Sequence, residues 1–174
     1  MKVARTLAPI LILSGFAAGI ALFGPAVAPA FGAALALNLF YSFFARNVPY
    51  LELIANSATH PVRFLLGILL TGRAAPVLHL VAYFFFIFGF VCLRRELEKD
   101  VVGWEARRTL KIYGPRDLRV LEFVSLAVIL GCCIADGLVS KGFYAAIIGT
   151  YVVLLPGAHV SPSLRYLLRQ VWTR

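Results

Sequence analysis

The sequence predicts an all-α membrane protein: a bundle of about six transmembrane helices followed by an interfacial helix at its C-terminal end. Apolar residues make up 61% of the chain and charged residues only 14%, whereas a soluble domain is roughly 45–50% apolar and about 25% charged. The apolar residues also gather into runs close to the roughly 20 residues that a helix needs to cross a bilayer. The length suits one membrane domain over residues 1–174.

Six apolar runs are the predicted spans. They cover residues 7–23, 26–44, 54–70, 76–93, 120–138 and 143–155. The third run contains His60, Pro61 and Arg63, and the sixth is short for a full crossing. Residues 94–119 are predicted to form a long, partly helical cytoplasmic loop. Ser161 and Pro162 then start an amphipathic segment, which predicts an interfacial helix over residues 162–173.

The distribution of basic residues predicts the orientation of these spans. When the loops alternate between two sides, fifteen of the 17 Lys and Arg residues fall on one side, and only Arg73 and Lys141 fall on the other. The positive-inside rule makes the first side cytoplasmic, with both termini there and the plasma membrane as the location. The net charge of +9 is then assigned to orientation and to anionic lipids or substrates, and not to nucleic acid.

Several other features of the chain give no indication of a specific function. A signal peptide cleaved after Ala28 is an alternative for the first run, but the run is long and Pro29 would follow the cut. Glu122 and Asp136 lie near the ends of the fifth span and are interpreted as interfacial. His79 and His159 have no evident partner and receive no role. Cysteines 92, 132 and 133 lie in apolar runs, which predicts small buried side chains.

Polar residues around the second and third spans are the first candidates for chemistry, because ionisable groups at membrane depth are expensive. On a helix, Glu52, Asn56 and His60 are four residues apart and Arg63 follows three later, so one face would carry all four. Oxygen ligands of this kind suit Mg²⁺, and arginines match the oxygens of phosphate. The alternative is structural: Arg46 is an orientation charge paired with Glu52, and Arg63 is a snorkelling residue.

A second cluster lies at the end of the fourth span. Arg94 and Glu98 are spaced i, i+4, with Arg95 between them, and Arg107 follows in the same loop. This density of arginines would concentrate an anionic substrate at the cytoplasmic mouth. A loop that binds lipid head groups is the alternative.

The order and spacing of these residues resemble the UbiA-type polyprenyl transferases, most closely the branch of decaprenyl-phosphate phosphoribosyltransferase. The matching positions are Tyr41, Ser42 and Phe43, then Arg46, then Pro49 to Glu52, then Arg63 and Gly67, then Arg94, Arg95 and Glu98, and finally Arg107 and Tyr113. The resemblance runs from about Asn38 to Tyr113 and more weakly to Leu138. Arg46 and Arg94 stand where that branch usually has lysine.

The resemblance implies a membrane transferase that moves phosphoribosyl or prenyl groups and uses isoprenoid phosphates, with Mg²⁺ bridging phosphates to acidic motifs. Glu52 would be the candidate catalytic and metal-binding residue. The implied phosphate-binding residues are Arg46, Arg63, Arg94, Arg95 and Arg107, and the implied pocket residues are Tyr41, Asn56, His60 and Glu98. The loop 94–119 is then expected to fold over the cytoplasmic mouth, with Arg94, Arg95 and Glu98 directed toward Glu52.

The sequence also departs from the family pattern. The first Asp-rich motif is absent, because no Asp or Glu precedes Glu52. The chain therefore resembles the last six of nine helices, and we expect it to be inactive alone. A second membrane subunit could supply the missing motif. One alternative is a non-catalytic relative that serves as a membrane subunit or lipid-phosphate-binding scaffold; a small transporter is another.

Overall fold

A computed structural model describes residues 2–25, 28–71, 76–102, 108–137 and 139–172, with the side chains at 2–10, 100–102, 108 and 115 excepted. All regular structure in these ranges is helical, which confirms the predicted all-α class there. The α-helices are α1 (Lys2–Phe23), α2 (Ala28–Phe43), α3 (Leu51–Leu70), α4 (Val77–Val102), α5 (Pro115–Ala135), α6 (Lys141–Val160) and α7 (Pro162–Trp172). Short 3₁₀ turns lie at Ala45–Asn47 and Arg108–Lys111.

Five stretches within the described residues are long and apolar enough to cross a bilayer. They are Ala28–Asn47, Leu51–Leu70, Val77–Lys99, Arg116–Ala135 and Lys141–Val160. In α1 the corresponding stretch, Leu11–Phe23, is shorter. The structure therefore supports five spans by length and composition, and the sixth stays a prediction.

The outer surface of the helices is strongly apolar. Phe123 and Ile134 on α5 are 72% and 75% exposed, and Val153 on α6 is 65% exposed. Soluble proteins rarely leave apolar patches of this extent in contact with water, whereas lipid tails cover them without cost. The exposed side chains and the long apolar helices together indicate an integral membrane protein.

The connection predicted over residues 94–119 was expected to be partly helical, and its described residues are largely so. α4 continues to Val102 and α5 already begins at Pro115. Charged residues mark where a helix leaves the apolar region, but they do not end it. Arg94 and Glu98 form an i, i+4 ion pair that supports the extra turns. At the start of α5, the Asp117 carboxylate accepts a hydrogen bond from the Gly114 N–H.

The last two helices also differ from the predicted bounds. α6 covers 20 residues and includes Pro156, whereas the apolar run suggested only residues 143–155. In α7, Leu168 and Trp172 pack against the core formed by α4, α5 and α6. The Trp172 ring lies edge-on to Phe90 of α4, with ring centroids 6.2 Å apart. One face of α7 therefore covers the bundle, and its placement at a membrane surface stays a prediction.

α4 is the centre of the packing. It contacts α3 and α5 extensively and also touches α6 and α7, while α2 packs on α3 and α1 packs on α2. Gly89 lets α4 and α6 approach closely, because a Cβ at this position would overlap the hydroxyl of Tyr151. That hydroxyl donates a hydrogen bond to the backbone carbonyl of Glu122, 2.7 Å away. The three cysteines are buried and free, as predicted.

Candidate functional site

One end of the bundle collects the buried charges because successive helices run in opposite directions. α3 and α5 begin at this end, and α4 and α6 finish there. The buried charged side chains of the described chain all belong to these helix ends: Glu52, Arg95, Glu96, Glu98 and Glu122. We refer to it as the charged end. Two separate networks of polar side chains lie within it.

The first network, which we call the Glu52 network, comprises Glu52, Arg94, Arg95, Glu98 and Tyr113. Arg95 Nε donates to Glu52 Oε1 at 2.9 Å, and Arg95 Nη1 donates to Glu98 Oε2. Arg94 Nε donates to the other oxygen of Glu98, also at 2.9 Å. The expected approach of Arg95 and Glu98 to Glu52 is confirmed. Arg94 reaches the network from the rim, with 44% of its side chain exposed.

Tyr113 joins this network to the segment between α4 and α5. Its hydroxyl donates to Glu52 Oε1 at 3.2 Å and accepts the backbone N–H of Tyr50 at 3.1 Å. Burial raises the pKa of Tyr113, and the Glu52 carboxylate raises it further. The hydroxyl therefore stays protonated near neutral pH and remains a donor. Lys99 Nζ donates to the Tyr113 carbonyl at 2.6 Å, which holds the segment against α4.

Tyr50 precedes α3 in a strained backbone conformation. Its φ is +60°, a value that residues other than glycine rarely adopt. Such conformations cost on the order of 1–3 kcal/mol and persist where the surroundings enforce them. The hydrogen bond to Tyr113 and the edge-on packing of the two rings, with centroids 5.3 Å apart, provide that enforcement. The turn aims Glu52, in the first turn of α3, into the bundle.

The charges of the Glu52 network pair with one another. Among the described contacts, the carboxylates of Glu52 and Glu98 face the guanidinium groups of Arg94 and Arg95, and Glu52 and Arg95 are 0% and 2% exposed. Loss of one partner from a buried pair of this kind strongly destabilises the fold, because the other charge would stay buried and uncompensated. As described, the residues around Glu52 do not fit Mg²⁺, since the Arg95 guanidinium occupies the space between the two carboxylates.

The remaining predicted site residues are more dispersed. Tyr41 of α2 lies near enough to interact electrostatically with Arg95. Asn56 and His60 are partly exposed, and Arg63 is exposed. Glu52 and Arg63 are 11 positions apart on α3, which separates them by roughly 16 Å along the axis. Their phosphate-binding and pocket roles stay predictions.

Two arginines complete the predicted set. Arg46 lies in the 3₁₀ turn before α3 and is exposed. Arg107 lies outside the described residues. Neither the phosphate-binding role of Arg46 nor that of Arg107 is tested by the described contacts.

The second network lies between α4, α5, α6 and α7, and we call it the Glu96 network. It comprises Glu96, Glu122, His159, Arg119 and Arg165. His159 Nε2 is 3.0 Å from Glu122 Oε2, and its Nδ1 is 3.8 Å from Glu96 Oε1. Glu96 Oε1 accepts from Arg119 at 3.2 Å and from Arg165 at 3.4 Å. Glu96 and Glu122 are buried.

Sequence reasoning missed the Glu96 network. Glu122 was interpreted as interfacial because it lies near the end of the fifth span, and His159 as a histidine without a role because no partner was evident. The predicted topology did contain the signal: Glu96 follows the fourth span, Glu122 starts the fifth, and His159 follows the sixth. All three were therefore assigned to one side of the membrane, and neighbouring helices bring them together.

A cavity of about 280 Å³ opens beside the Glu96 network, between α5 and α6. Arg119, Glu122 and His159 line its polar end. The rest of its wall is apolar: Phe123, Leu126, Tyr151, Val152, Leu155, Pro156 and Val160. The Glu122 carboxylate and the His159 ring therefore lie beside a ligand-sized space.

The fold and the two networks define a helical membrane protein with its buried charges at one end. No family model matches the chain, and no curated protein or solved structure is significantly similar to it. The function must therefore be argued from the residues themselves.

Proposed function

We propose that the chain is a membrane-embedded part of a UbiA-like transferase, that it binds isoprenoid phosphates, and that it does not catalyse group transfer alone. The proposal that the chain does not catalyse transfer alone rests on the position of Arg95 between Glu52 and Glu98. A diphosphate leaving group needs its developing charge neutralised, usually by a metal ion. Here the carboxylate that the resemblance assigns to the metal is a counter-ion for arginine.

The proposed phosphate ligands are arginines whose side chains are exposed. Arg46, Arg94 and Arg119 all reach the surface of the charged end. Planar guanidinium groups bind phosphate oxygens in pairs, and a cluster of them raises the local concentration of an anionic lipid. The apolar exterior of α2 and α3 next to these arginines suits the isoprenoid chain.

Completion by further helices is supported by α2. None of its residues is buried, although α2 is apolar along its length. Its outer face is therefore available for helices that carry the absent Asp-rich motif, from a second membrane subunit or from the same polypeptide. Mg²⁺ is proposed as the cofactor only for that completed enzyme.

The orientation that we propose places the charged end on the cytoplasmic side of the plasma membrane. With six spans, both termini lie on that side, in agreement with the fifteen-to-two division of basic residues. α7 then lies at the cytoplasmic surface. The phosphates of an isoprenoid carrier would meet the charged end from the same side.

The test is binding and turnover by the purified single chain in lipid nanodiscs. We expect decaprenyl phosphate to bind more tightly than decaprenol, and Arg46→Ala or Arg94→Ala to weaken the binding of the phosphate by about tenfold. With Mg²⁺ and phosphoribosyl diphosphate, we expect no transfer product. Arg73→Ala is the matched control, because the predicted topology puts this arginine on the opposite side.

Two results would overturn the proposal. Equal affinity for the phosphate and the alcohol would remove isoprenoid phosphate as the ligand. Mg²⁺-dependent transfer by the single chain, abolished by Glu52→Gln, would show that the enzyme is complete without further helices.

The second candidate is a non-catalytic membrane subunit that binds lipid phosphates. The buried ion pair between Glu52 and Arg95 favours this candidate, because a carboxylate that pairs with an arginine has a structural role. Gentle extraction followed by identification of bound proteins separates the two. A membrane partner with an Asp-rich motif, whose presence brings Mg²⁺-dependent transfer, supports the transferase. A partner without transfer supports the scaffold.

A further inference from the structure

Three helices direct one potential metal ligand each to the same point of the Glu96 network. Glu96 comes from α4, Glu122 from α5 and His159 from α6. One oxygen or nitrogen atom of each lies within 4.8 Å of those of the other two. This is the only group of three such residues within the described part of the chain. Ligands around a tetrahedral Zn²⁺ ion with bonds of about 2.0 Å are roughly 3.3 Å apart, so small side-chain movements suffice.

Each of the three side chains also has a buried atom without a hydrogen-bond partner. These atoms are Glu96 Oε2, Glu122 Oε1 and His159 Nδ1. Glu96 and Glu122 are only 5% and 4% exposed. Leaving a buried charged group unsatisfied costs on the order of 1–3 kcal/mol or more. Three such atoms, one from each residue, show that the hydrogen bonds within the cluster leave its buried groups unsatisfied, which points to a bound cation.

The other atoms of the same groups are already held in place. Arg119 and Arg165 donate to Glu96 Oε1, and His159 Nε2 lies in hydrogen-bond contact with Glu122 Oε2. In metal sites, outer partners of this kind orient the ligands. A cation bound by one atom of each side chain would replace the contact between His159 Nε2 and Glu122 Oε2, and the two arginines would keep their contacts with Glu96 Oε1.

We propose that Glu96, Glu122 and His159 bind a divalent transition-metal ion, with Zn²⁺ as the preferred ion. The proposal goes beyond the proposed function, because it concerns other residues and another face of α4. The nitrogen ligand separates this site from a Mg²⁺ site, since Mg²⁺ prefers oxygen ligands and keeps several waters. Three protein ligands leave a further coordination position. Because Glu122 and His159 also line the cavity between α5 and α6, that position faces it.

Metal content of the purified full-length chain tests the site. The protein is extracted in detergent, stripped with a chelator, dialysed against Zn²⁺ and analysed by mass spectrometry for bound metal. We expect about one Zn²⁺ per chain and a rise in the melting temperature on Zn²⁺ addition. Glu122→Gln and His159→Asn should each weaken Zn²⁺ binding by about tenfold or more. An excess of Mg²⁺ should not displace the ion.

His79→Asn is the matched control, because His79 lies among aromatic rings of α6 and outside the cluster. It should retain Zn²⁺ like the unmodified chain. Size-exclusion profiles before metal loading verify that the variants are folded, and Co²⁺ absorption spectra report the ligand geometry independently. Less than about a tenth of an equivalent of Zn²⁺ in the folded unmodified chain would overturn the site. Full Zn²⁺ retention by folded His159→Asn protein would overturn it as well.

Discussion

Replacement of Arg95 by methionine is the perturbation that most directly tests the Glu52 network. Methionine has similar length and fits an apolar core, so the change removes the charge with little change of volume. Glu52 and Glu98 would then lie in a buried site without the guanidinium group that pairs with both of them. Removing one partner of a buried ion pair costs about 3–5 kcal/mol.

The expected loss is large enough to measure in detergent. At about 2–4 °C per kcal/mol for a chain of this size, the melting temperature should fall by roughly 6–20 °C. The assay is size-exclusion chromatography after stepwise heating of the purified protein. Arg63→Met is the matched control: Arg63 lies roughly 16 Å from Glu52 along α3, so its replacement removes an arginine without breaking the Glu52 network and should not lower the melting temperature.

A double-mutant cycle separates pairing from other effects. The combination of Arg95→Met with Glu52→Gln should be less destabilising than the sum of the two single changes, because the first change already leaves Glu52 without its main partner. Equal melting temperatures for Arg95→Met and Arg63→Met would refute the reasoning. Arg95 would then be a solvated side chain, open to substrate and not a counter-ion.

Three further predictions concern other parts of the fold. Gly89→Ala should destabilise the protein by about 1–3 kcal/mol, because the new Cβ meets Tyr151, whereas Gly67→Ala should not, since nothing lies near that position; equal melting temperatures would contradict this. Tyr113→Phe should cost about 1–3 kcal/mol by leaving the Tyr50 N–H without its acceptor, and a neutral effect in thermal unfolding would be evidence against that bond. Reporter fusions at the C-terminus and near Lys141 should lie on opposite sides of the membrane; the same side for both would exclude six spans.

The helical class and the approximate positions of most helices were predictable from hydrophobicity alone. Apolar run length predicts where a helix lies within lipid, because the bilayer requires internal hydrogen bonding over its whole thickness. It does not predict where the helix ends in water. α4 therefore continues for nine residues beyond residue 93, held by Arg94 and Glu98, and α6 is longer at both ends than its apolar run.

The candidate site was only half predictable. Arg95, Glu98 and Glu52 were expected to meet because their order resembles a known motif, and they do. The convergence of Glu96, Glu122 and His159 depends on packing between α4, α5 and α6, which spacing along one helix does not contain. The spacing along α3 puts Arg63 on the same face as Glu52, and the rise of the helix places it roughly 16 Å further along the axis, so its predicted role stays untested.

The alternation of partners along one turn of α4 has a consequence for how this helix sits in the bundle. Its apolar part carries phenylalanines on every side, including Phe84, Phe86 and Phe88, so the apolar pattern of its sequence alone does not select a rotation about the helix axis. Arg95 pairs toward α3, while the adjacent Glu96 pairs toward α5 and α7. A rotation by one residue, about 100°, would carry Arg95 toward the arginines that pair with Glu96, or Glu96 toward Glu52, so both ion pairs would be lost. The two ion pairs therefore fix the rotation of the central helix about its own axis.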